Sequence, residues 1–363
     1  MAIINYAQKV INFKVVYYGP GVAGKTANLQ HIHKSLPDTS KGNMISLAAG
    51  DDRTLFFDFL PVSATTVRGF TAKFQLYTVP GQVYYNMTRK LVLRGVDGLI
   101  FVADSQWDRL KENVESFRNL EENMREYNYN LDEMPYVIQY NKRDLANVAP
   151  IEYMEFMLNR RTRQVPYFEA VALHGDGVFD TLNTVSRMVL VGEFGQEKGS
   201  TVKLHDMAIH ESDAEQINAV LTTFLGESGA TEALLIDRSG QLLAMTGANR
   251  ALDTVSISAL AAGAFSSTGA LAQLLGETEF TVLFHQGNKE SMHVSTVDDQ
   301  AILLAIFGER TTVGMVRLFA KEAAAAIGQI LAAARAKPSN RGALSQPLTA
   351  EESRTSFGEP KKP

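Results

Sequence analysis

Eight residues near the start of the chain, GPGVAGKT at 19–26, restrict its fold more than any other stretch. They follow a β-rich run, NFKVVYYG (12–19), and precede a helix, giving the order strand, glycine-rich loop, helix. Gly19, Gly21 and Gly24 let the backbone turn its N–H groups inward around phosphate oxygens. In such a loop Lys25 reaches the β- and γ-phosphates and the Thr26 hydroxyl ligates Mg²⁺. Val22, Ala23 and Ala27 complete the expected phosphate contacts. A loop of this kind needs a sheet behind it, so the surrounding sequence must supply further strands.

It does so. The runs LFFDFLP (55–61), KFQLYTV (73–79), DGLIFVAD (97–104), PYVIQYNK (135–142) and PYFEAVAL (166–173) read as strands. Amphipathic segments such as Trp107–Tyr127 and Ile151–Arg161 lie between most of them, and a last helix covers Val178–Leu190. Apolar strands separated by helices predict an α/β P-loop domain, a mostly parallel six-stranded sheet with helices on both faces. At 363 residues the chain has room for a second domain. A polar linker is expected at 195–209, after which the order of elements changes. A helix (Asp213–Gly226) leads to two strands (230–238 and 241–247), a long helix (Val255–Leu275), three runs at hairpin spacing and a helix from Val313 to Ala336. This αββαβββα order predicts an α+β domain on an antiparallel sheet over 210–336. Residues 337–363, with four prolines and few apolar side chains, read as a disordered tail.

Two more motifs define a ligand. NKRD (141–144) ends a strand, the place of a base-recognition loop in an open α/β sheet. Asp144 can accept two hydrogen bonds, from the N1–H and the N2 amino group of guanine, donors that adenine lacks. Asn141 and Lys142 belong to the same loop. TVPGQ (78–82) also ends a strand; Gly81 suits a γ-phosphate sensor through its N–H, and Gln82 can orient an attacking water. His31 and His33 on the first helix lack an acidic ligand cluster and read as structural.

These three motifs resemble those of the Ras-like small GTPases. Within that superfamily RTLFFDFLP (53–61), YTVPGQVYYN (77–86), RKLVLRGVDG (89–98) and QYNKRDL (139–145) are similar to the MglA family of bacterial gliding-motility and cell-polarity systems. The resemblance implies GTP/GDP and Mg²⁺ as cofactors, GTP hydrolysis, and a switch Thr54 that grips both Mg²⁺ and the γ-phosphate. Arg53 beside it is either an arginine finger supplied in cis, worth roughly 10³–10⁵ in rate, or a solvated arginine paired with Asp51 or Asp52. Gly21 leaves room for Gln82 to approach. Two positions depart from the Ras pattern. Thr78 stands where Ras-like proteins carry the aspartate that holds Mg²⁺ through water, a change shared by MglA-type proteins that weakens the metal shell. Ala170-Val171-Ala172-Leu173 replaces the usual Ser-Ala-Lys run, so base contacts at Val171 and Ala172 fall to the backbone.

The second half contains no nucleophile–base constellation and no metal-spaced set of ligands. ALLIDRSGQLLA (233–244) resembles the Roadblock/dynein light chain family, and LAQLLGETEFTVLFHQGNKESMHVS (271–295) its bacterial MglB branch, partner and GTPase-activating protein of MglA. The long helix holds Ala259, Ala261, Ala262, Gly263, Ala264 and Gly269. Small residues there serve packing on the domain's own sheet; the resemblance adds pairing across a homodimer.

The chain has no cysteine, which excludes disulfides, thiolate metal sites, Fe–S clusters, a cysteine nucleophile and cysteine-linked lipid. A net charge of −5 gives no basic excess for nucleic acid. With no anchor motif the expected place is the cytoplasm, with a Roadblock domain in cis or in trans, further copies of the chain and polarity or motility effectors as protein partners. Two readings of function stand: a GTP-hydrolysing switch with an attached GTPase-activating domain, or a non-catalytic nucleotide-bound scaffold that assembles complexes through Roadblock dimerisation.

Overall fold

Strands rich in Val, Ile and aromatic residues alternate with amphipathic helices in the first half, and this alternation builds its sheet. The computed structural model describes residues 3–48, 54–82, 85–160, 164–194, 207–247, 252–336 and Phe357. Its elements are β1 (Ile3–Asn5), β2 (Val10–Tyr18), α1 (Lys25–Ser35), β3 (Ile45–Ala48), β4 (Thr54–Val67), β5 (Phe70–Thr78), α2 (Asn86–Leu93), β6 (Gly98–Asp104), α3 (Leu110–Glu126), β7 (Tyr136–Asn141), α4 (Ile151–Leu158), β8 (Tyr167–Ala170) and α5 (Val178–Phe194). There follow β9 (Met207–Ile209), α6 (Glu211–Ser228), β10 (Glu232–Asp237), β11 (Leu242–Gly247), α7 (Thr254–Leu274), β12 (Val282–Gln286), β13 (Ser291–Thr296), β14 (Ala301–Phe307) and α8 (Val313–Ala336). They divide into two compact units.

The first unit is an α/β sheet in the order β3-β4-β5-β2-β6-β7-β8. From β2 through β6 and β7 to β8 the strands run parallel, while β4 is antiparallel to both β3 and β5. All six expected strands are present, and β3 adds a seventh at the antiparallel edge. Tyr17 and Tyr18 show how the two faces are filled. Both are fully buried neighbours on β2, so by the two-residue alternation they point to opposite faces. The Tyr18 hydroxyl reaches Asn119 of α3, which identifies its face as the one covered by α2 and α3. The parallel strands all end towards the phosphate loop, and so do the loops that follow them.

Phe357 also belongs to this unit. It lies in the stretch expected to be a disordered tail, yet its side chain is 2% exposed. Its ring meets Phe74 edge-on at 5.5 Å, and Phe74 in turn stacks on Phe13 at 5.2 Å. The other residues of 337–363 lie outside those described.

The second unit has the antiparallel order β11-β10-β14-β13-β12, with the expected succession of helices and strands. Leu234, Ile236, Val294, Ile302 and Leu304 form its core against Ala261, Ala262 and Phe265 of α7. Helices α6 and α8 pack on each other and on the sheet. Of the linker expected at 195–209, residues 195–206 lie outside those described, and 207–209 form β9. That short strand pairs in parallel with β1, and Tyr6 stacks on His210 at 5.0 Å. Residues Ile3–Val10 therefore group with the second unit, although they precede the first in sequence. Among the described residues no helix is long and apolar enough to cross a membrane.

Candidate functional site

The loop after β2 turns into α1 at Lys25, so the helix presents its first N–H groups at the end of the sheet. The helix is capped by Gly24 in a left-handed conformation, φ 101°. A β-carbon there would stand 2.1 Å from Asn141 Nδ2, so glycine is required by conformation and by space. Val22, at the tip, also has positive φ and is largely exposed, while Ala23 is buried. Asn28 fixes the first turn from below. Its side-chain amide donates to the Gly24 carbonyl at 2.9 Å and exchanges hydrogen bonds with Gln139 of β7, which also donates to Thr181 of α5.

Lys25 is buried, and its ammonium donates to the carbonyls of Gly19 (3.0 Å) and Pro20 (2.6 Å). Burial pushes this ammonium down to about 7; the Arg89 guanidinium acts in the same direction and the Asp58 carboxylate opposes both. A phosphate at the loop would supply the anion that this lysine lacks.

The NKRD loop is joined to the phosphate loop by Asn141. Its side-chain amide donates to the Ala23 carbonyl at 2.8 Å, and its carbonyl oxygen accepts from the Ala172 N–H at 2.9 Å. One buried side chain therefore braces the phosphate loop, the base loop and the loop after β8 as a unit. Lys142 adopts positive φ and its ammonium meets Asp104 at 2.6 Å. Asp144 is exposed, with its carboxylate open to solvent. Val171 hydrogen-bonds through its N–H to the Asp176 carbonyl, and Ala172 is buried beside Asn141.

TVPGQ lies directly over the phosphate loop. A β-carbon on Gly81 would fall 2.2 Å from the Gly21 Cα, so the two glycines permit backbone-to-backbone contact. A β-carbon built on Gly21 would lie 4.0 Å from Gln82 Cγ, which places the expected water-orienting side chain beside the loop. Arg53 lies outside the described residues, and Thr54 is described only as the first residue of β4.

Beside Thr26 and Thr78 lies a buried carboxylate that the motifs do not include. Asp58, fully buried on β4, accepts from the Thr26 hydroxyl at 2.6 Å and from the Thr78 hydroxyl at 2.8 Å. Its other carboxylate oxygen accepts from Ser46, and its N–H donates to the Thr78 hydroxyl oxygen at 2.9 Å. Phe59 pairs with Tyr77 across β4 and β5, and the same register sets Asp58 beside Thr78. A carboxylate from the neighbouring strand thus stands beside both Thr26 and Thr78. Its signal in the sequence is one charge inside the otherwise apolar run LFFDFLP. Among the described residues no group of three His, Cys, Asp or Glu is arranged to hold a metal. His31 is used locally, with a ring nitrogen 3.1 Å from the Ser35 hydroxyl.

The Ras family model matches residues 14–191, and the Roadblock/LC7 domain model matches residues 216–307. The "Mutual gliding-motility protein MglA" of Myxococcus xanthus (strain DK1622) is 55% identical over 190 residues, covering 52% of this chain and 96% of that protein. Among solved structures, the gliding protein MglB of Thermus thermophilus is 34% identical, covering 35% of this chain and 96% of its own, with a TM-score of 0.34. Myxococcus xanthus MglB is 37% identical, covering 32% of this chain and 95% of its own, with a TM-score of 0.31.

Proposed function

Because the chain belongs to the Ras family, in its MglA-like branch, and carries a Roadblock/LC7 domain in the same polypeptide, we propose that it is a guanine-nucleotide switch with its own regulator attached. The observation that carries the reading is the bracing by Asn141. It holds the phosphate loop at Ala23 and the base-side loop at Ala172, so the two ends of one nucleotide are received by one rigid frame. Gly19, Gly21, Gly24 and Lys25 take the phosphates, with Val22, Ala23 and Ala27 beside them. Asp144 reads the guanine edge, with Asn141, Lys142, Val171 and Ala172 shaping the pocket around it.

Mg²⁺ is implied by the family, and the groups present fit it: the Thr26 hydroxyl and the buried Asp58 carboxylate beside it are hard oxygen donors of the type this ion takes. Thr26 and Thr54 would hold it, with Asp58 fixing the Thr26 hydroxyl and adding the negative charge that Thr78 lacks. When bound, the ion neutralises charge developing on the transferred phosphoryl group. Gln82 orients water from its place beside Gly21, and Gly81 senses the γ-phosphate through its N–H. Arg53, next to Thr54 in sequence, is the proposed cis arginine finger.

In the same proposal the second half is a GTPase-activating domain that holds the switch segments, acting in cis or in trans. Its β12 lies at the sheet edge with Phe284 exposed, which supports assembly with further copies of the chain. The likeness to a gliding-motility protein supports effectors of motility as partners, and the proposal adds effectors of polarity and a cytoplasmic setting. Calorimetric titration with GDP and ADP tests the first step: tight binding of GDP with none of ADP is expected, and equal binding would contradict it.

A further inference from the structure

Arg89, on α2, is the largest wholly buried side chain among the described residues. Its guanidinium donates through Nη1 to Asn119 Oδ1 at 2.6 Å, and through Nη2 to Ser116 Oγ at 2.7 Å and the Gly19 carbonyl at 3.3 Å. It lies over the Tyr18 ring, 4.4 Å from the centroid. Every one of these partners is uncharged. Among the described residues no carboxylate pairs with it; a buried cation so placed is costly to keep, and a merely structural position would be better filled by an apolar side chain. The surrounding groups are built to orient it. Tyr18 donates to Asn119 at 2.7 Å, and Asn119 and Asn123 both donate to Asn86 at the start of α2, at 3.0 and 2.8 Å.

The Gly19 carbonyl receives a second cation. Lys25 donates to it at 3.0 Å, so two buried positive charges converge on the first carbonyl of the phosphate loop. Neither has an ionic partner within this loop. We propose that Arg89 is a positioning residue whose missing counter-charge is the phosphate group of the bound nucleotide, and that it couples phosphate binding to the placement of α2. The inference rests on the guanine-nucleotide reading above. When Lys25 turns to a phosphate, Gly19 is left to Arg89 alone, which draws α2 closer to the loop. Helix α2 follows Gly81 and Gln82 in the chain, so its placement sets theirs. By reciprocity, whatever loosens α2 must also loosen the nucleotide.

Two substitutions separate charge from shape in the full chain. Arg89→Met keeps length and removes charge; Arg89→Lys keeps charge and loses the planar fork. The readouts are dissociation of a fluorescent GDP analogue, hydrogen exchange of α2 amides with and without GDP, and thermal unfolding as a check of folding. GDP dissociation is expected to speed up roughly ten- to a hundredfold in Arg89→Met, the loss of one charge-assisted interaction. Arg89→Lys is expected to stay within a few-fold of wild type in dissociation while losing the protection of α2 that GDP induces. Wild-type dissociation with full GDP-induced protection in a folded Arg89→Met would overturn the proposal, leaving Arg89 a strut. Should Arg89→Met not fold, unchanged α2 protection in Arg89→Lys overturns it equally. A wild-type chain that does not bind GDP would instead sink the guanine-nucleotide reading itself.

Discussion

Replacing Asp58 tests the metal side of the site with a perturbation whose size follows from its contacts. The carboxylate is fully buried and accepts three hydroxyl hydrogen bonds, from Thr26, Ser46 and Thr78. In Asp58→Ala all three donors lose a charged acceptor. At ~1.5 kcal/mol each, less the desolvation the carboxylate no longer requires, the first domain should lose about 3 kcal/mol. Asp58→Asn is the sharper probe. Its amide oxygen still accepts from Thr26 and Thr78, and the Ser46 hydroxyl can rotate to accept from the amide nitrogen, so stability should stay within ~1 kcal/mol. The charge, however, is gone. If Asp58 supplies the acidic group of the metal shell, the Mg²⁺ concentration needed to slow GDP dissociation by half should rise about tenfold, corresponding to ~1.4 kcal/mol. The assay is GDP dissociation across a Mg²⁺ titration, with thermal unfolding alongside. An Asp58→Asn protein with wild-type Mg²⁺ dependence would refute the reasoning and reduce Asp58 to a structural acceptor.

Three further outcomes are expected. A β-carbon at Gly21 meets the Gly81 carbonyl carbon at 3.8 Å and Gln82 Cγ at 4.0 Å, ordinary contact distances. Gly21→Ala should therefore fit, whereas the extra methyls of Gly21→Val should displace Gln82 and slow single-turnover hydrolysis by roughly 10²-fold with GDP still bound; equal rates for the two would contradict this. His293 is buried, its pKa lowered from 6.5 by burial and by the Arg317 guanidinium, and neither ring nitrogen has a partner among the described residues. Its neutral form is the native one, so its stabilising contribution is full above 6.5 and is lost as the pH falls below it. The second domain should weaken by up to ~1.4 kcal/mol per pH unit there, and His293→Leu should flatten that slope in thermal unfolding between pH 7 and 5. Phe357→Ala removes a buried ring from Phe74 and should cost the first domain about 3 kcal/mol by calorimetry; no change would show that the contact contributes nothing in solution.

The residues that were legible in the sequence are those whose role depends on local spacing. GPGVAGKT, TVPGQ and NKRD each sit at the end of one strand, and each can be read without knowing which strand lies beside it. Asp58 could not be read that way. Its part depends on the register of β4 against β5, a cross-strand relation that sets it beside Thr78, twenty positions further on. Thr78 was legible as a departure from the Ras pattern, but the carboxylate that stands beside it comes from the neighbouring strand. Arg89 is a similar case: beside Lys90 and shortly before Arg94 in RKLVLRG it reads as one charge among several, and only packing shows it inside. The αββαβββα order of the second half followed from hairpin spacing. The pairing of β1 with β9 did not, because three-residue strands separated by about two hundred residues carry no periodicity to reveal them.

The central claim is that this chain hydrolyses GTP at the assembled loops, and single-turnover phosphate release from GTP with Mg²⁺ tests it most directly. The wild-type chain should release phosphate, and Gln82→Leu should bind GTP equally while releasing it roughly 10²-fold more slowly. Firmly bound GTP with no phosphate release from the wild-type protein would contradict the account.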